Sequence, residues 1–201
     1  MIAFILAAGL GTRLRPLTDN RPKALVEYEG RPLLEHLLER LRGYGFRDFV
    51  INLHHFPDMI RRFAMEYARR EEVKIAFSDE TGRLLDTGGA LTHALPLIGK
   101  EQTVLVHNVD VLTNSDVRLL ERRMRETDAD AVLSVRRRDT SRYLYADGEG
   151  RLRAWKNIKS GQSKGEALQE GFTPFAFSGI HLLKTALVSE WAELYGTENP
   201  F

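Results

Sequence analysis

Residues 2–26 read IAFILAAGLGTRLRPLTDNRPKALV, and how they are read decides the fold. Ile2-Ala3-Phe4-Ile5-Leu6-Ala7 is a short continuous apolar run of the kind that forms a buried strand. It empties into Ala8-Gly9-Leu10-Gly11-Thr12-Arg13, where two glycines remove side chains from a tight turn. Backbone there can come close to a ligand's phosphates and offer them its N–H groups. Arg13, Arg15 and, after the Arg21-Pro22 pair, Lys23 add fixed positive charge. A permissive loop flanked by cations is a reasonable anion cradle. An ordinary strand-to-loop turn with solvated arginines is the alternative from composition alone, since glycine-rich turns recur in α/β folds.

Generic phosphate motifs fail on this stretch. A dinucleotide fingerprint needs a third glycine three residues after the second, and Leu14 stands there in its place. A P-loop ends in Gly-Lys-Ser or Gly-Lys-Thr, whereas Lys23 follows Pro22.

The rest of the composition excludes several classes of function. The 201 residues suit one domain with a full core. A net charge of +1 gives no electrostatic case for nucleic acid or an anionic membrane. With no cysteine, disulfides, thiolate metal sites and a cysteine nucleophile are ruled out. No apolar stretch approaches the ~20 residues of a membrane span. The start of the chain lacks the pattern of a signal peptide, so the cytoplasm is the expected compartment.

Downstream, strands and helices alternate. Arg31-Pro32 is expected to open a helix, with Leu33, Leu34, Leu37, Leu38 and Leu41 on one face and Gly43 and Gly45 at its end. Strands are expected at Phe49–Asn52, Val73–Phe77, Thr103–Val106 and Ala131–Val135. Helices are expected at Pro57–Arg70, Thr87–Leu97 and Ser115–Thr127, the last capped by Ser115. This alternation predicts a mainly parallel sheet covered on both faces. In such sheets ligands sit outside the carboxyl ends of the strands. The glycine loop, Asn52, the Asp86-Thr87-Gly88-Gly89 turn and Asp110 all fall just after strands or at helix starts, so they are expected to share one edge. After about Asp139 the pattern changes. A hairpin is expected from Tyr143–Ala146 and Leu152–Trp155, then a polar loop over Gly161–Gly171, a strand at Phe175–Leu183 and a helix at Thr185–Tyr195.

Asp110, at the carboxyl end of its strand beside the glycine loop, is positioned to hold Mg²⁺, which takes one or two carboxylates beside substrate phosphates. An aspartate in a turn is the plain alternative. Asp86 or Thr87 can be read as a helix N-cap, and Gly179 inside a strand as a site of close approach. His54-His55 does not suggest zinc, because neighbours on a strand face opposite ways and no second pair lies at ligand spacing. Arg136-Arg137-Arg138 reads as a solvated strand end.

LAAGLGTRLRPLT followed by RPKAL resembles the signature of the sugar-1-phosphate nucleotidyltransferases, G-x-G-T-R-x-x-P-L-T with a downstream P-K. The match covers Gly9, Gly11, Thr12, Arg13, Pro16, Leu17, Thr18, Pro22 and Lys23. The resemblance implies an α/β fold: a Rossmann-like three-layer sandwich with a mainly parallel sheet and a smaller β-rich sugar-side lobe. Residues 1–201 are then one domain, with a nucleotide-binding lobe over 1–138 and a sugar-side lobe over 139–201. It implies that a nucleoside triphosphate sits on Leu6, Ala7, Ala8, Gly9, Gly11, Thr12 and Arg13, with Gly88 and Gly89 against the base and ribose. Arg13 and Lys23 become the catalytic cations, and Lys23, Asn108, Lys156 and Gly179 hold the sugar phosphate. Mg²⁺ on Asp110 is the implied cofactor, and a monomer or homodimer the expected state. Asp-Thr-Gly-Gly-Ala and Phe-Ser-Gly-Ile are most similar to the N-acetylmuramate-1-phosphate uridylyltransferases, with mannose-1-phosphate guanylyltransferases as near rivals, so UTP is favoured. Two departures stand out: Lys156 lies in Trp-Lys-Asn where relatives have Glu-Lys-Pro, and no aspartate follows Asp147, although relatives use a second metal-binding one. Glu190, Glu193 and Glu198 are poor substitutes. The chain is therefore expected to be short at its C-terminal end, and a family member that binds nucleotide or nucleotide sugar without turnover is the alternative.

Overall fold

The computed structural model describes residues 1–99 and 102–195. Strand β1 (Ile2–Leu6) leads into the glycine loop, which carries two short 3-10 turns at Thr12–Leu14 and Lys23–Leu25. A small ribbon, β2 (Glu27–Tyr28) and β3 (Arg31–Pro32), precedes α1 (Leu33–Gly43). Then come β4 (Asp48–Leu53), α2 (Pro57–Glu71), β5 (Lys74–Asp79), α3 (Asp86–Ile98), β6 (Thr103–Asn108), α4 (Arg118–Thr127) and β7 (Ala131–Arg136). The later elements are β8 (Arg142–Ala146), β9 (Leu152–Asn157), β10 (Ser163–Gly165), β11 (Thr173–Lys184) and α5 (Thr185–Tyr195).

The chain divides into two compact units: 1–132 together with the chain from His181 onward, and Leu133–Ile180. In the first unit β6, β1, β4 and β5 lie side by side, all parallel. β1 therefore sits between strands that follow it along the chain in opposite directions across the sheet, which makes the gap between β1 and β6 a topological switch point. The register pairs Leu6 with Asn108, so the loop after β1 and the loop after β6 emerge next to each other.

Side-chain alternation explains why the strands are buried on both faces. Ile2, Phe4, Val50, Val104 and Val106 pack with Leu91, Leu95 and Ile98 of α3 and Val188 of α5 in one apolar cluster. The other face presents Ala3, Ile5, Phe49, Ile51, Leu105 and His107, each 1% exposed or less. On α1 the buried residues are the leucines at 33, 34, 37, 38 and 41, the stripe that the sequence spacing predicts. Ion pairs Arg42–Glu71 and Arg70–Glu35 tie α1 to α2.

The second unit is antiparallel. β9 pairs with β8 and β10, and β8 pairs with the first part of β11.

Pro32 is the N-cap of α1, so the Arg31-Pro32 pair leads into the helix as the sequence predicts, while it also pairs with Glu27–Tyr28, where proline's missing N–H is tolerated on a two-stranded edge. Two expectations are corrected. Ser115 does not cap α4, which starts at Arg118; its hydroxyl accepts from Thr113 at 3.1 Å instead. The polar loop over Gly161–Gly171 contains β10. The compact units divide the chain after Val132 and after Ile180, and α5 packs on α3 in the first unit. Glu198 lies outside the described residues.

Candidate functional site

At the carboxyl ends of β1, β4 and β6 a cleft of about 160 Å³ opens. Its lining comes from Leu6, Ala8 and Gly9, from Lys23, from Asn52 and Glu80, from Leu84, Asp86 and Thr87 at the start of α3, and from Asn108. All belong to the first unit. The shared edge expected from the sequence is thus the edge that the structure builds.

Lys23 and Asp110 meet across the switch point. The Lys23 Nζ is 3.1 Å from Asp110 Oδ2, with side chains 15% and 28% exposed. Lys23 is delivered by the second 3-10 turn and Asp110 by the two residues after β6. A cation and a carboxylate, each partly open to solvent and mutually neutralised, leave the cleft receptive to an anion that brings its own counter-cation.

Gly9 and Gly11 have different physical reasons. At Gly9 an added Cβ would lie 3.6 Å from Lys23 Nζ, so the missing side chain keeps open the space around that amine. At Gly11 φ is +67°, and a Cβ would lie 2.8 Å from Thr18 Cγ2. That residue must be glycine for the loop to turn back over Thr18. Thr18, 2% exposed, donates its hydroxyl to the Gly11 carbonyl at 2.9 Å and closes the loop on itself.

Asn52 holds the loop from below. Its Oδ1 accepts the N–H of Ala7 at 2.6 Å and of Ala8 at 3.1 Å, and its Nδ2 donates to Glu80 Oε1 at 2.8 Å. Glu80 Oε2 accepts the Leu85 N–H at 3.2 Å. His54 Nδ1 donates to the Glu80 carbonyl at 2.7 Å. Burial pushes the Glu80 carboxyl above the usual carboxylate range, opposed by the Asn52 and Leu85 donors. The Ala7 and Ala8 N–H groups, on two residues expected to bind the nucleotide, are thus engaged by Asn52; these two residues set the loop's course.

Leu6, Ala8, Gly9, Lys23 and Asn108 are brought together as expected. Gly88 and Gly89 are buried in the first turn of α3. Thr12 and Arg13 are exposed on the first 3-10 turn. Lys156, half-buried on β9, and Gly179, at φ +79° on β11, lie in the second unit. Glu80 was not legible as a site residue. A Glu between Asp79 and Thr81 at a strand end carries no local sign of burial.

Among the described residues no three His, Cys, Asp or Glu side chains gather as a metal cage. Magnesium does not require one, since it keeps waters and takes one or two carboxylates beside phosphate oxygens. The partly exposed Asp110 carboxylate fits that single-ligand role.

Residues 2–156 match the family described as Nucleotidyl transferase. The chain belongs to this family. It is 46% identical over 110 residues to an N-acetylmuramate alpha-1-phosphate uridylyltransferase of Caulobacter vibrioides, a match covering 54% of this chain and 45% of that protein. It is 34% identical over 145 residues to a mannose-1-phosphate guanyltransferase of Hypocrea jecorina, covering 71% of this chain and 40% of that one. The chain therefore spans about half the length, or less, of these curated relatives. Among solved structures it resembles the inositol-1-phosphate CTP transferase from T. maritima, with a TM-score of 0.71 at 18% identity, covering 98% of this chain and 76% of that one. HddC from Yersinia pseudotuberculosis, complexed with GMP-PN, gives a TM-score of 0.69 at 23% identity, covering 94% and 79%. At these identities the nucleotidyltransferases share the fold with this chain: a mainly parallel sheet with helices, extended by antiparallel strands. Among the described residues no helix is long and apolar enough to cross a membrane.

Proposed function

We propose that this chain carries a nucleotidyl transfer from a nucleoside triphosphate to a sugar 1-phosphate, releasing pyrophosphate. The observation that carries the reading is the Lys23–Asp110 pair beside the glycine loop at the switch point. A phosphate monoester, with a second pKa of roughly 6, is already mostly ionised at neutral pH and can attack the α-phosphorus without a general base. The enzyme's task is to hold two anions together and to meet the charge that develops on the leaving group. Lys23 bridges the α-phosphate and the incoming phosphate. Arg13, exposed on its turn, holds the β- and γ-phosphates and then the pyrophosphate. The loop backbone at Gly9 and Gly11 approaches the triphosphate, and Gly88 and Gly89 admit the base and ribose. Asp110 would hold Mg²⁺, which when bound neutralises phosphate charge.

UTP is the favoured base donor. The support is that the uridylyltransferase relative is 46% identical in its matched segment, against 34% for the guanyltransferase. The test is pyrophosphate release with Mg²⁺, crossing the four common nucleoside triphosphates with a panel of sugar 1-phosphates. Release with UTP and one sugar 1-phosphate is expected. Release with another triphosphate only would overturn the base assignment. No release, with triphosphate binding retained, would overturn the enzymatic reading in favour of a nucleotide-binding member of the family.

A further inference from the structure

Asn52 and Glu80 are 3% and 2% exposed. Among the described residues no Lys or Arg forms an ion pair with the Glu80 carboxylate, and only His93 and His54 lie near enough to attract its charge. Burying a carboxylate without a counter-cation is costly, so the pair is poorly explained as a stability device. Its hydrogen bonds are nevertheless polarised in one direction. Ala7 and Ala8 can only donate from their N–H groups, which fixes the Asn52 carbonyl toward them and its amide toward Glu80. Glu80 then spends one oxygen on Asn52 and the other on Leu85, the residue before α3. One buried chain of bonds thus runs from the start of the glycine loop to the start of α3.

We propose that Asn52 and Glu80 are positioning residues that hold the glycine loop and the start of α3 as one unit, setting the aim of the loop toward the triphosphate. The proposal rests on the phosphate-cradle reading of that loop. It makes the two segments reached by the phosphates and by the base mechanically dependent on one another, although residues 7 and 85 are far apart in sequence.

The polarity of the chain supplies the test. Glu80→Gln places an amide against one of two N–H donors, so one bond must break. Asn52→Asp keeps the bonds to Ala7 and Ala8 but sets two carboxylates against each other. The double variant Asn52→Asp/Glu80→Gln reverses the central bond: the new carboxylate accepts from the new amide, and every other bond survives. Each single variant is expected to lower kcat about 10- to 100-fold, the cost of misplacing a catalytic group by a fraction of an ångström to an ångström. Each is also expected to speed amide hydrogen exchange at Ala7, Ala8 and Leu85 together. The double variant is expected to restore slow exchange at all three and most of the lost turnover. Single variants with wild-type kcat and exchange, or a double variant no better than the worse single, would overturn the proposal. Should the single variants fail to fold, exchange in the wild-type protein decides. A shared opening rate at the three amides supports the unit, and a Leu85 amide exchanging far faster than Ala7 and Ala8 overturns it. If the wild-type protein releases no pyrophosphate from any substrate pair, the enzymatic reading fails, and the exchange arms still decide the relay.

Discussion

Lys23 and Asp110, remote in sequence, stand 3.1 Å apart at the point where the sheet's winding reverses. Lys23 stands on the second 3-10 turn and Asp110 two residues past β6. Their side chains are 15% and 28% exposed, so water still reaches both groups and losing one does not strand a fully buried charge. Lys23→Ala, Asp110→Asn and Arg13→Ala are therefore expected to fold normally. Each is expected to lower pyrophosphate release at least ~10²–10³-fold, as losing one charge-stabilising contact does. Turnover like wild type in Asp110→Asn would sink the metal assignment, and like wild type in Lys23→Ala the bridging role.

The two loop glycines separate stability from function. Gly11→Ala forces a side chain into left-handed backbone, at about 1–2 kcal/mol, and against Thr18 besides. A lower midpoint in urea denaturation is expected. Gly9→Ala makes only an ordinary contact with Lys23 Nζ at 3.6 Å, so its midpoint should stay put while triphosphate affinity falls. Equal effects of the two on the midpoint would contradict this division.

Thr18→Val keeps the side chain's shape but removes the donor to the Gly11 carbonyl. The Gly11 carbonyl keeps the Leu14 N–H at 2.8 Å, so what is lost is one hydrogen bond, about 0.5–1.5 kcal/mol. Thr18→Ser should keep the bond and most of the stability. Denaturation midpoints of the two variants, measured side by side, check the ordering.

His107 gives a pH signature. It is fully buried, its Nδ1–H donates to the Asn108 carbonyl at 2.8 Å, and burial pushes its pKa down to about 4. The unfolded chain, with an ordinary histidine near 6.5, binds a proton there that the folded chain refuses. Stability held by the neutral ring is full above about pH 6.5 and drains away as pH falls toward 4, by on the order of 3 kcal/mol. His181, also pushed by burial to about 4, acts in the same sense. His107→Met is expected to lose stability less steeply than wild type between pH 7 and 4.5, followed by urea midpoints. Parallel curves for the two proteins would rule this out.

The parallel half of the fold was legible because burial on both faces leaves continuous apolar runs, and the α1 stripe needs only leucine spacing. The loop was legible through its glycines and cations, which act locally. Asn52 could be assigned to the edge but not to a task, because its partners come from residues 7, 8 and 80. Glu80 was invisible for the same reason: its burial is decided by tertiary neighbours. The α4 cap failed since the Ser115 hydroxyl is engaged by Thr113, and Asp116 Oδ1 takes the Arg118 N–H at the helix start instead. The division after Ile180 has no local sign, because β11 looks uniform in sequence while its ends belong to different units.

Leu133–Ile180 is one uninterrupted segment whose two ends both return to the first unit, and no residue of it lines the cleft. Both of its junctions fall inside strands, Val132–Leu133 within β7 and Ile180–His181 within β11. Exchanging the insert would leave every residue of the Lys23–Asp110 pair, the glycine loop and the Asn52–Glu80 chain unchanged, but it obliges two strands to be rebuilt from pieces of different origin, so the insert is inherited together with the frame that carries it.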